Sequence, residues 1–112
     1  MAAADDSPAV CWFLYSSTPT NASVESMQSR VRGILAALKV KTTDVDGANA
    51  ENKTQRSEFW AISGKRAVYP QVFVQAKGET KFVGDGEDIV LANDDGILEG
   101  QLADAPRVEA DA

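Results

Sequence analysis

The stretch Pro70-Gln71-Val72-Phe73-Val74-Gln75-Ala76-Lys77-Gly78-Glu79-Thr80-Lys81-Phe82-Val83 decides the fold. Two short runs of β-branched and aromatic residues, 70–74 and 80–83, flank the turn Ala76-Lys77-Gly78-Glu79, which is the pattern of two strands joined as a hairpin. A hairpin needs a partner for its apolar face, and the flanking segments are the candidates.

On the N-terminal side, Ala9-Val10-Cys11-Trp12-Phe13-Leu14-Tyr15 is continuously apolar and aromatic, as expected of a strand buried on both faces of a helix-covered sheet. Val24, Met27, Val31, Ile34, Leu35 and Leu38 then recur at steps of three and four, which predicts an amphipathic helix. Residues 40–46 favour a second strand closed by Gly47, and a polar helix follows with Asn49 as N-cap and Phe59, Trp60 and Ile62 at its apolar end. Beyond the hairpin, Ile89, Val90, Leu91, Ile97 and Leu98 make a last helical region, interrupted by a left-handed cap at Gly96. The order is β-α-β-α-β-β-α, an α/β chain with one mixed central sheet and helices on both faces. Few topologies of this size other than the thioredoxin fold satisfy it.

The 112 residues suit one domain, expected over 9–102, with residues 1–8 a flexible N-terminal arm and 103–112 a flexible acidic tail because neither end carries a periodic apolar face. The formal net charge of -6 argues against nucleic acid and anionic membranes as partners. Ten of the eleven Lys and Arg fall between Arg30 and Lys81, whereas after Phe82 only Arg107 offsets nine acids, so a mildly basic middle faces an acidic C-terminal third. A single cysteine, Cys11, and no histidine exclude an internal disulfide, a Cys-x-x-Cys pair and any zinc site built from Cys and His. No metal is expected. The acidic runs 44–47 and 85–88 lack EF-hand spacing and read as turns and caps. Cys11 lies inside the apolar strand and reads as a core residue with a raised pKa. No run is long enough to span a membrane and no basic leader precedes the first strand, so a cytoplasmic location is expected.

Three segments resemble the glutaredoxins. Residues 13–21, Phe-Leu-Tyr-Ser-Ser-Thr-Pro-Thr-Asn, fall where that family has a strand, a loop and Cys-Pro-Tyr-Cys; residues 67–74, Ala-Val-Tyr-Pro-Gln-Val-Phe-Val, resemble its Thr-Val-Pro strand entry; residues 82–89, Phe-Val-Gly-Asp-Gly-Glu-Asp-Ile, resemble its Gly-Gly-Cys-Asp-Asp turn. With residues 38–52 and the Ser-Ser-Thr loop, the chain is similar to the SH3 domain-binding glutamic-acid-rich-like proteins, cysteine-free relatives with adaptor-like roles and no established catalysis. The resemblance implies an SH3 domain among the candidate partners; mammalian members carry a Pro-Leu-Pro-Pro type segment before the hairpin, whereas here Arg66-Ala67-Val68-Tyr69-Pro70 holds no P-x-x-P for the polyproline mode.

The resemblance implies a non-catalytic module whose partner is a protein. Thr18 stands where the nucleophilic cysteine would be and Asn21 where the resolving one would be, so thiol exchange and thiolate ligation of an iron-sulfur cluster are both lost. Thr18 or Asn21 serves instead as a helix N-cap, with Pro19 suited to a first helical turn. The resemblance also implies a cis Tyr69-Pro70 bond and a groove formed by Ser17, Thr18, Pro19, Asn21, Lys65, Arg66, Tyr69, Pro70, Glu87 and Asp88. Glutathione is the one cofactor it raises. In that alternative Glu87 and Asp88 take the γ-glutamyl end and Lys65 or Arg66 the glycine carboxylate, although Tyr15 replaces the family's lysine and Asp85 the second glycine of its turn.

Overall fold

Alternation along the first strand sets the architecture. In the computed structural model, which describes residues 8–108, β1 (Val10–Tyr15) sends Cys11 and Phe13 into one apolar cluster and Leu14 into another on the opposite face. The chain continues through α1 (Ala22–Ala37), β2 (Thr42–Asp46), α2 (Lys53–Ser63), β3 (Gln71–Ala76), β4 (Glu79–Asp85), α3 (Gly86–Asp94) and α4 (Leu98–Gln101). The sheet order is β2-β1-β3-β4. β1 runs parallel to β2, with Cys11 opposite Thr42, and antiparallel to β3, with Phe13 opposite Val72. Both central strands are therefore paired along both edges and covered on both faces, which is why their sequences read as unbroken apolar runs.

Helices α1, α3 and α4 cover one face, where Val31, Leu35, Ile89, Leu98 and Leu102 pack on Cys11, Phe13, Val72 and Val74. Helix α2 covers the other through Phe59, which stacks on Phe73 at a ring separation of 4.5 Å and lies 5.8 Å from Trp12. The expected hairpin is present and longer than its apolar runs: Lys77 (φ 54°) and Gly78 (φ 77°) form a two-residue turn whose backbone twist matches the flanking strands.

Three boundaries differ from the sequence reading. Val40 lies outside β2, in an isolated antiparallel bridge with Arg107. Asn49 caps a short 3₁₀ turn, Ala50–Asn52, and α2 begins only at Lys53. The domain also runs past residue 102, which corrects the expectation of a flexible tail over 103–112 as far as residue 108. Ala105 is buried, Lys41 N donates to Pro106 O at 2.9 Å and Val108 N to Lys39 O at 2.7 Å. Arg107 donates to the carbonyls of Leu38 and Leu102, which end α1 and α4. Isolated small residues bond through backbone and leave no apolar period to read. Residues 109–112, and all of the expected 1–8 arm except the exposed Pro8, lie outside the described residues.

Truncation after Leu102 is therefore expected to lower stability by about 2 kcal/mol, from a few net backbone bonds of roughly 0.5–1.5 kcal/mol each. An unchanged denaturant midpoint would show that this segment contributes nothing to the fold.

Candidate functional site

The C-terminal end of β1 delivers a loop over 16–21 that is held by polar contacts. Ser16 N donates to Gln28 Oε1 at 2.8 Å and Gln28 Nε2 returns a bond to Ser16 O at 3.1 Å, so α1 and the loop are tied by a reciprocal, buried pair. Thr18 N donates to Ser16 Oγ, and Ser17 N to Asp46 Oδ1 at 3.0 Å. Asn21, with extended φ and ψ, is the N-cap: its Oδ1 accepts from Val24 N at 3.0 Å. Thr18 is thus three residues ahead of the cap and Pro19 precedes the helix rather than opening it, because the Asn21 side chain takes the cap position first. A nucleophile at position 18 would receive little help from the α1 dipole, which acts within the first turn.

Asp46 joins this loop to the next part of the surface. Its carboxylate accepts from the Ser17 and Ala48 amides, and although burial opposes ionisation, the contacts with Ser17 and Ala48 outweigh it and hold the pKa below the usual range. Gly47 follows, pressed against the Tyr69 ring: a Cβ there would lie 2.6 Å from Tyr69 Cε1. Its carbonyl accepts from Arg56 Nη1 at 2.8 Å. Burial raises the Tyr69 phenol above its ordinary value, the nearby Arg56 cation partly opposing.

Tyr69-Pro70 is cis, as the resemblance implied. Pro70 is buried beneath the start of α3, since a Cβ at Gly86 would meet Pro70 Cδ at 3.2 Å and Met27 Sδ of α1 at 3.0 Å. The next side chain, Gln71, is fully buried, and its Nε2 donates to Lys65 O at 2.7 Å and Val68 O at 2.8 Å, fixing the 65–68 loop to β3.

The acidic turn is built as a capping box: Asp88 N donates to Asp85 Oδ1 at 3.0 Å and Asp85 N to Asp88 Oδ2 at 3.1 Å. Lys65 Nζ reaches across to Asp85 Oδ2 at 2.8 Å and lies 4.0 Å from Asp88 Oδ2. This pairing raises the Lys65 pKa; burial opposes ionisation of Asp85, but the bonds from Lys65 and Asp88 prevail and its pKa is lowered. Of the residues expected in the groove, the structure brings Lys65, Asp88 and the unexpected Asp85 together. It sends Arg66 elsewhere, over Trp60 with 5.8 Å between guanidinium and ring centre, and leaves Glu87 exposed.

Ser16, Gln28, Asp46, Arg56, Gln71 and Asp85 escaped the sequence reading as site residues. Two carried a signal: Gln28 sits on the apolar stripe of α1, at +4 from Val24 and -3 from Val31, and Gln71 is a polar residue opening a buried strand.

The fold has solved counterparts. A wheat glutaredoxin superposes with a TM-score of 0.62 at 18% identity, covering 93% of this chain and 87% of its own. The fold is glutaredoxin-like. A buckwheat glutaredoxin solved as a complex with glutathione gives 0.60 at 16% identity, with coverages of 85% and 77%, and a mutated buckwheat glutaredoxin gives 0.62 at 14%, with 94% and 84%. At such identities the likeness concerns the fold. No family model matches the chain and no curated protein matches it by sequence. Among the described residues there is no cluster of three or more metal-ligating side chains, and no helix is long and apolar enough to cross a membrane.

Cys11 is the only thiol, fully buried between the Val74 and Thr42 neighbours of the sheet, and burial pushes its pKa up to about 12. A shift of that size leaves roughly a thousandfold less thiolate at neutral pH than a free cysteine has. Alkylation of the folded protein should therefore proceed no faster than unfolding; iodoacetamide labelling at the free-cysteine rate would contradict the burial.

Asp85 gives a second expectation. Its folded pKa is depressed, so its contribution is present above the unfolded value of about 4 and is lost as pH falls through the folded one. Asp85→Asn keeps a capping side chain but loses the ion pair. It should be less stable than the parent at pH 7 and converge with it at low pH, as read from denaturant midpoints; a gap independent of pH would refute the pairing.

Proposed function

We propose that this chain is a non-catalytic binding module of the SH3 domain-binding glutamic-acid-rich-like type, which uses the groove between the 16–21 loop, Tyr69-Pro70 and the start of α3 for protein contact in the cytoplasm. The observation that carries the reading is the location of sulfur. Thiol exchange needs a thiolate at an accessible position, whereas the sole cysteine is sunk in the sheet and the loop presents Thr18 and Asn21. Oxygen nucleophiles there would need an adjacent base, and no imidazole exists in the chain. What remains of the inherited site is a shaped surface with a backbone edge at Tyr69, suited to an extended peptide.

Retained glutathione binding is the alternative, and the Lys65-Asp85 pair weighs against it. The cation meant for the glycine carboxylate is spent on the turn meant for the γ-glutamyl end, so the tripeptide would have to break an intramolecular pair to make its own. No disulfide chemistry follows to offset that loss.

The chain should show no turnover in a glutathione-coupled disulfide assay, and millimolar reduced glutathione should leave the amides of Tyr69, Glu87 and Asp88 unshifted. Turnover that persists in Cys11→Ser, or localised shifts at those three amides, would replace this reading with the glutathione one.

A further inference from the structure

The proposed groove does not end at Tyr69. Trp60 lies 6.5 Å from the Tyr69 ring in an edge-on arrangement and carries two guanidiniums on its surface, Arg56 at 4.6 Å and Arg66 at 5.8 Å. Arg32 and Lys65 each hold a carboxylate, but neither arginine on Trp60 has one within ion-pair distance among the described residues. Arg56 is half-buried and spends Nη1 on the Gly47 carbonyl, while its Nε and the Trp60 Nε1 are buried donors with no acceptor. Arg66 is exposed. Its edge N–H groups can match a carboxylate, whereas on Arg56 Nη1 is taken by Gly47 and Nε is buried, which leaves Nη2 and the positive charge.

The surface is continuous with the loop: Ser17 bonds to Asp46, the neighbouring Gly47 touches Tyr69, and Tyr69 meets Trp60. Asp46, the acid on this path, directs its Oδ1 at the amides of Ser17 and Ala48. The carboxylates of the α3 turn stand beyond Pro70, around Lys65. The groove therefore has a cationic, aromatic end and an acidic end, which gives a bound chain a direction.

We infer that the partner presents an acidic peptide segment whose carboxylates lie on Arg56 and Arg66 over Trp60. The inference rests on the groove reading above and specifies the partner's chemistry. It accounts for two arginines that have no carboxylate within ion-pair distance among the described residues, in a chain of net charge -6 where acids are plentiful.

The test uses the full chain, labelled with ¹⁵N, and three capped hexapeptides: hexaglutamate, hexalysine and an uncharged Gly-Ser repeat. Hexaglutamate should move the Trp60 indole resonance and the Arg66 amide, with affinity falling as salt rises. Arg66→Gln, at an exposed position, should weaken that binding about five- to tenfold, the loss of one charge-assisted contact. Arg56→Lys, which keeps charge but removes the planar fork, should weaken it as well, and hexalysine and Gly-Ser should leave Trp60 unmoved. An unmoved Trp60 indole with hexaglutamate, or equal affinity in Arg66→Gln, would overturn the inference. If the Gly-Ser or hexalysine peptide instead shifts Ser17 and Thr18 while Trp60 stays silent, the acidic partner is wrong and the groove reading survives.

Discussion

Two-sided burial of β1 is the constraint on which the rest of this structure depends. With β2 and β3 paired to its edges and helices over both faces, Cys11, Phe13 and Leu14 have no route to water, and each of these side chains must be apolar or neutral. That single condition makes Cys11 a hydrophobe rather than a reagent, because a thiolate there would be an unpaired buried charge. It also fixes where β1 ends, and so where the 16–21 loop emerges. The loop is placed by the core and refined by polar bonds, of which the Ser16-Gln28 exchange is the buried one.

The surface around Tyr69-Pro70 keeps its charged groups in two separate clusters. The cis proline, α1 and the start of α3 converge through Pro70, Met27 and Gly86, which pack so closely that a Cβ at residue 86 would have to displace Met27. Lys65 is turned inward onto Asp85 and Asp88, while Arg66 is turned away onto Trp60. Adjacent residues thereby face different partners, and Gln71 holds their loop in position by donating twice to its carbonyls.

Much of the fold was legible because its signals are local. The hairpin was marked by Lys77-Gly78 between β-formers, α1 by apolar steps of three and four, and Asn21 and Gly96 by their side-chain or backbone chemistry. The errors came where local chemistry competes or where contacts are distant. Asn49 reads as the cap of a long helix and caps one 3₁₀ turn, since its carbonyl accepts from Asn52 N and that of Ala50 from Lys53 N, each three residues on rather than four. The 103–108 segment docks through Ala105, the Val40-Arg107 bridge and carbonyls more than sixty residues away, none of which leaves a periodic trace.

The amino-acid sequence by itself determined the element order, the β-sheet's buried centre and the absence of an accessible thiol pair, because propensity, periodicity and residue identity are properties of short windows and composition. Only the tertiary structure decided which charges meet. Lys65 and Asp85 are twenty residues apart, and Arg56 and Arg66 converge on Trp60 from a helix and a loop. Electrostatic pairing depends on distances of a few ångströms, and those distances are set by packing rather than by position along the chain.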